Sequence, residues 1–105
     1  MTPSPQPARV LHLTIKRQWF DMIASGEKTT EYREMKPYWS RRFYGSCKFL
    51  LFPIRFDEVH FRNGYGKSAP FMRVKWIALG TDFDSPLGPQ LVYAIRLGEI
   101  LEVRR

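Results

Sequence analysis

Apolar and polar residues alternate over residues 9–15, with Leu11, Leu13 and Ile15 on one side and His12 and Thr14 on the other. A two-residue period belongs to a strand with one buried face. The period then lengthens. Over residues 16–25 the apolar positions Ile15, Trp19, Met22 and Ile23 form one helical stripe, and Gly26 supplies a residue able to take the left-handed conformation that ends helices. Residues 28–33 are rich in Thr and Tyr and predict an extended segment, with Thr29, Glu31 and Arg33 on one face and Thr30 and Tyr32 on the other. Pro37 opens a second, short helix because its fixed φ suits a first helical position. Within it Trp39 and Phe43, four apart, bury one side and Arg41 and Arg42 face outward.

The rest of the chain predicts strands at 47–52, 56–61, 70–79 and 91–103. Apolar and basic residues alternate through Met72, Arg73, Val74, Lys75 and Trp76, and Leu91, Tyr93, Ile95 and Leu97 repeat the period with Arg96 outward. Both runs suit half-buried antiparallel strands. Breakers separate them, at Asn63, Gly64 and Gly66 and again across residues 80–88 with Pro86 and Pro89. One early helix, a second short one and several strands predict an α+β domain whose curved sheet closes toward a small barrel.

Length and composition confine this to one core. The chain has 105 residues, enough for a single domain over 9–105. Residues 1–8 carry prolines at alternate positions and no apolar stretch, which predicts an extended tail rather than a helix or a signal peptide. No apolar run approaches the roughly 20 residues of a membrane-spanning helix. The lone cysteine, Cys47, excludes an intramolecular disulfide and a multi-thiolate metal site, pointing to a cytoplasmic protein, and its apolar surroundings predict a small buried hydrophobe.

Charge then selects the partner. Seventeen Lys and Arg against ten Asp and Glu give a net charge of +7, so polyanions, nucleic acid first among them, are attracted. Basic and aromatic residues concentrate between Tyr32 and Lys48, a composition suited to single-stranded RNA, where phosphates supply salt-sensitive affinity and bases stack. Tyr38, Tyr44 and Tyr65 are the stacking candidates, while Trp19, Trp39 and Trp76 at their spacings read as core. The same basic face suits an acidic protein partner.

The densest chemistry lies just past the first helix. Lys28, Thr29, Glu31 and Arg33 combine a compact cation, a hydroxyl, an acceptor and a planar guanidinium fork, a set able to bind a phosphate or the polar edge of a base. A solvated strand with a Glu–Arg ion pair has the same composition. A second candidate is the loop around Asn63, Tyr65 and Lys67, where two glycines permit close backbone approach and Tyr65 offers a flat face; a hairpin with an Asn-Gly turn accounts for it equally. His12 and His60 each occupy a polar strand position, and spacing alone makes no catalytic pair of them. No zinc-like His/Cys spacing occurs, Asp82 and Asp84 are too sparse for calcium, and no cofactor is indicated.

The pattern Gly26-x-Lys28-x-x-Glu31-x-Arg33, joined to residues 11–16, 19–23, 36–39 and the Arg-Asn-Gly-Tyr-Gly run at 62–66, resembles the ASCH domain family, in a compact single-domain branch found in bacteria and their phages. The resemblance spans residues 10–100 and implies a β-barrel related to the PUA RNA-binding fold, with the signature lining a cleft for RNA or a nucleotide-like ligand. Some small ASCH-like relatives act as amidohydrolases on N4-acetylcytidine, and ribonuclease activity is associated with others. Lys28 matches the lysine those amidohydrolases use. Where they place a threonine three residues later this chain has Glu31, and no counterpart of their later glutamate is found. Hydrolysis here would need Glu31 as base and Lys28 as oxyanion holder, because a carboxylate facing a lysine favours its charged form.

Overall fold

The computed structural model describes residues 9–105; the tail expected at 1–8 lies outside them. Strand β1 (Val10–Thr14) leads into helix α1 (Arg17–Ala24), strand β2 (Thr30–Glu34) and helix α2 (Pro37–Phe43). Strands β3 (Tyr44–Cys47) and β4 (Leu50–Pro53) follow, then β5 (Glu58–Arg62), β6 (Phe71–Ser85) and β7 (Gly88–Arg104). Five strands form one mixed sheet in the order β1-β5-β6-β7-β2, and β3 and β4 make a separate two-stranded ribbon. The fold is therefore α+β, as the periodicities imply.

β1 runs parallel to β5, with Leu11 opposite Val59, His12 opposite His60 and Leu13 opposite Phe61. The other pairings of the large sheet are antiparallel. Leu11, Leu13, Val59, Phe61, Met72 and Val74 bury one face against Phe20 and Ile23 of α1 and Phe43 of α2. The outer face of the same strands carries His12, His60, Arg62 and Arg73, as strict alternation requires. The two edges of the sheet, β1 and β2, share no ladder, so the sheet among the described residues is open. One side chain bridges them, with Arg33 Nη2 of β2 donating to the Thr14 carbonyl of β1 at 3.3 Å.

Four sequence expectations change. In α1 the deepest side chains are Phe20 and Ile23, whereas Trp19 and Met22 are only half-buried; the helix is rotated so that Trp19 faces sideways. The run 47–52 is a hairpin turn with short arms: Lys48 takes a left-handed φ of 54°, and Cys47, Phe49, Leu50 and Leu51 are exposed. Cys47 is thus not buried, because its ribbon stands apart from the main sheet and has no apolar layer over it. The breaker-rich stretch 80–88 is not a linker either. β6 continues to Ser85 and β7 begins at Gly88, with register shifts, one between Asp82 and Asp84, and a turn at Pro86 and Leu87 absorbing the irregular residues. Finally, Val92, Tyr93, Ala94 and Ile95 are all buried, so the middle of β7 is covered on both faces while Leu91 is exposed.

Candidate functional site: a charged cavity between the sheet edges

Helix α1 ends by a local device. Gly26 adopts φ 87°, its amide donates to Ile23 O at 3.1 Å, and Lys28 N donates to Met22 O at 3.0 Å. The chain doubles back along the helix, which sets the Lys28 ammonium 5.1 Å from the Trp19 ring centre and 4.9 Å from that of Tyr32. β2 then pairs with β7, placing Glu31 opposite Ile95 and Arg33 opposite Tyr93. Helix α2 is pinned to that strand by a 2.6 Å hydrogen bond between Ser40 Oγ and the Tyr93 hydroxyl. That contact holds Trp39 under Arg33, whose guanidinium carbon lies 4.8 Å from the indole centre.

Glu31 sits at the centre, only 6% exposed. Lys28 Nζ approaches Oε1 at 3.4 Å and Arg33 Nη2 approaches Oε2 at 2.7 Å, so each carboxylate oxygen faces its own cation. Lys28 is itself 9% exposed, which makes this a buried Lys–Glu–Arg triad rather than a surface pair. The triad borders a cavity of about 370 Å³ opening between the two sheet edges. Trp19, Tyr32 and Trp39 supply aromatic walls, Thr14, Ile15 and Lys16 come from the end of β1, and Pro86 and Leu87 reach in from the β6–β7 turn. Glu34 and Lys36, 3.3 Å apart and exposed, complete its rim. Four cationic side chains thus face two carboxylates around one hollow. Arg33 Nε is buried without a hydrogen-bond partner among the described residues, an unpaired donor on a residue that lines the cavity.

Of the residues singled out from sequence, Lys28, Glu31 and Arg33 converge. Thr29 does not; it is exposed, offers its carbonyl to Leu97 N, and borders a shallower neighbouring hollow. Arg41 lies on another surface beside Tyr44 and Leu51. Arg42 does not border the cavity; its guanidinium carbon lies 5.6 Å from the Trp39 ring centre, and it donates to His12 O at 3.1 Å and to the Tyr38 hydroxyl at 3.0 Å. Asn63 is structural, its amide donating to Ile15 O at 2.9 Å, while Tyr65 and Lys67 stand exposed on a loop that does not border the cavity. Tyr44 packs against the core, and Tyr38 is exposed, its ring perpendicular to that of Trp39 with centres 4.8 Å apart. Trp19 and Trp39, which read as core from their spacing, do pack half-buried against it but also wall the cavity, and Pro86 and Leu87, which read as part of a linker, border it too. Trp19 was legible in principle, since Phe20 and Ile23 alone satisfy the core stripe and leave it a flanking position.

A second polar cluster lies on the outer face. Glu58 accepts from Arg73 through both oxygens, at 2.9 and 3.2 Å, and shares a 2.9 Å hydrogen bond with His60 Nε2. The hydrogen bonds from Arg73, against an opposing desolvation, hold the Glu58 carboxyl down at about 2. Among the described residues no group of three or more His, Cys, Asp or Glu is placed to hold a metal ion, and no helix is long and apolar enough to cross a membrane.

Comparison of the chain with known protein families, curated proteins and solved structures gives no match.

Proposed function

We propose that this protein is a PUA-like domain of the ASCH type that binds RNA, or a nucleotide-sized ligand, in the cavity around Lys28, Glu31 and Arg33. One observation carries the reading: a cleft with three aromatic walls and an excess of cations holds a buried Lys–Glu–Arg triad and an unpaired Arg33 Nε–H. The volume falls at the lower end of the roughly 300–1,000 Å³ of small-molecule sites and suits one nucleotide. Aromatic rings accept the face of a base, and Lys16 and Lys36 at the mouth complement a phosphate. Lys28, Glu31 and Arg33 of the pattern that resembles the ASCH signature border the hollow, which supports the reading.

Binding is favoured over hydrolysis by the state of Glu31. Both of its oxygens are engaged by cations, Lys28 at 3.4 Å and Arg33 at 2.7 Å, which ties the carboxylate into the wall of the cavity. Lys28 is in turn held in place against that carboxylate and two rings. On this reading the triad orients donors toward a ligand.

The test is fluorescence titration of a single-stranded RNA at several salt concentrations. Replacing Arg33 by Ala weakens binding and lowers the slope of log K against log salt by about one if Arg33 meets a phosphate. An unchanged affinity and slope in Arg33→Ala removes the site. Release of cytidine from N4-acetylcytidine, abolished in Lys28→Ala and Glu31→Gln, would put hydrolysis in place of binding.

A further inference from the structure

The chain contains two histidines, and the parallel register of β1 with β5 sets them side by side. Their ring centres are 5.3 Å apart, edge to face, on the sheet surface turned away from the core. His60 lies in turn 5.3 Å from Phe71. Two guanidinium groups flank the pair, Arg62 from β5 and Arg42 from α2. Neither has a carboxylate partner among the described residues: Arg62 rests on Phe71 at 4.7 Å, and Arg42 donates only to a hydroxyl and a carbonyl. The nearby carboxylates are already engaged, Glu58 by Arg73 and His60, and Glu102 by Arg73 and Arg104.

Two guanidinium groups without a carboxylate partner, set beside a pair of imidazoles, favour an anion. We propose that His12, His60, Arg42 and Arg62 form a phosphodiester-binding site for single-stranded RNA on the outer face of the sheet. Arg42 connects the two regions physically, since it stacks on the Trp39 ring that also walls the cavity and donates to the backbone of His12. A strand with one base in the cavity can therefore pass its next phosphates over Arg42 toward Arg62. The proposal rests on the cavity reading for its choice of ligand; the anion site itself rests on the outer-face cluster alone. Contacts to phosphate rather than to the 2′-hydroxyl make the site indifferent to RNA against DNA.

The site also carries a proton linkage. Facing His12 are His60 and Arg62 from β5 and Arg42 from α2; facing His60 are His12, the Glu58 carboxylate and Arg73. Partial burial, followed by the positive field of His60, Arg62 and Arg42, holds the His12 imidazole below its ordinary 6.5. A bound phosphate reverses that field and raises it. Affinity is then flat above the bound-state midpoint, rises as pH falls between the bound and free midpoints, and levels below the free one.

The experiment is proton NMR of the full chain titrated with the hexanucleotide rU6, following the two imidazole C2–H resonances and the tryptophan indole N–H resonances together. Both histidine signals are expected to shift on adding rU6, with the His12 midpoint moving up. Affinity should be several-fold greater at pH 5.5 than at 7.5, and Arg62→Gln should lower it about three- to ten-fold and raise the His12 midpoint of the free protein. Arg62 is exposed, so that variant keeps the fold. Histidine signals that stay still while the Trp19 and Trp39 indoles move overturn the outer-face site and leave the cavity standing. Histidines that respond while the indoles stay still support this site and remove the cavity reading. No response from either removes both.

Discussion

Replacing Glu58 by Gln converts the outer-face network into a measurable pH dependence of stability. The Arg73 hydrogen bonds hold the folded-state Glu58 carboxyl near 2, against an ordinary 4.5 when the chain is unfolded. A difference of about 2.5 pH units corresponds to at most roughly 3 kcal/mol. Arg73 is about one-third exposed, so solvent screening reduces this, and about 2 kcal/mol is the expected effect at pH 7. Because the folded value is depressed, the contribution is fully present above the unfolded midpoint and disappears as pH falls toward the folded one, with half of it gone by about pH 3.3. Urea unfolding of the wild-type and Glu58→Gln proteins at intervals from pH 7 to pH 2 checks this. The two stabilities should differ by about 2 kcal/mol at neutral pH and converge below about pH 2.5. A gap that is absent at pH 7, or that persists unchanged to pH 2, refutes the reasoning.

The buried triad should behave differently from the exposed pair beside it. Glu31→Gln leaves Lys28 and Arg33 without their shared counter-charge and should cost about 3 kcal/mol in denaturant unfolding, whereas Lys36→Ala at the rim should stay within about 0.5 kcal/mol. Phe20→Ala empties a fully buried position and should cost about 3–5 kcal/mol in the same assay, more than Trp19→Ala, whose ring is only half-buried. Equal losses at the two positions would mean that the helix stripe is turned otherwise.

Periodicity made the elements legible where each buried one face. Leu11 and Leu13 on β1, the stop at Gly26, and Pro37 opening α2 are local signals, and each sits where its pattern implies. The pattern weakened where burial was not one-sided. The middle of β7 is covered on both faces, so alternation from Leu91 assigned the wrong residue to the core. Apolar content misled at 47–52, because a ribbon with nothing over it exposes Phe49 and Leu51 despite a composition suited to burial. For the site, the close spacing of Lys28, Glu31 and Arg33 was readable because one helix stop and one strand position them together. The outer-face histidines were not, since their contact depends on a parallel pairing between segments 48 residues apart. No sequence interval records that register. Pro86 and Leu87 reach the cavity because β6 and β7 extend through the stretch expected as a linker and carry their turn there.

The tryptophans give the most direct test of the cavity as a nucleotide site. Trp19 and Trp39 border it, while Trp76 packs against Phe56 and does not. Each indole N–H gives one resolved signal in a proton–nitrogen correlation spectrum of the labelled protein. On titration with cytidine 5′-monophosphate the Trp19 and Trp39 signals should move together along one saturable curve, with Trp76 unmoved and the response lost in Arg33→Ala. Three stationary indoles at millimolar nucleotide, or a Trp76 shift equal to the other two, would contradict the account.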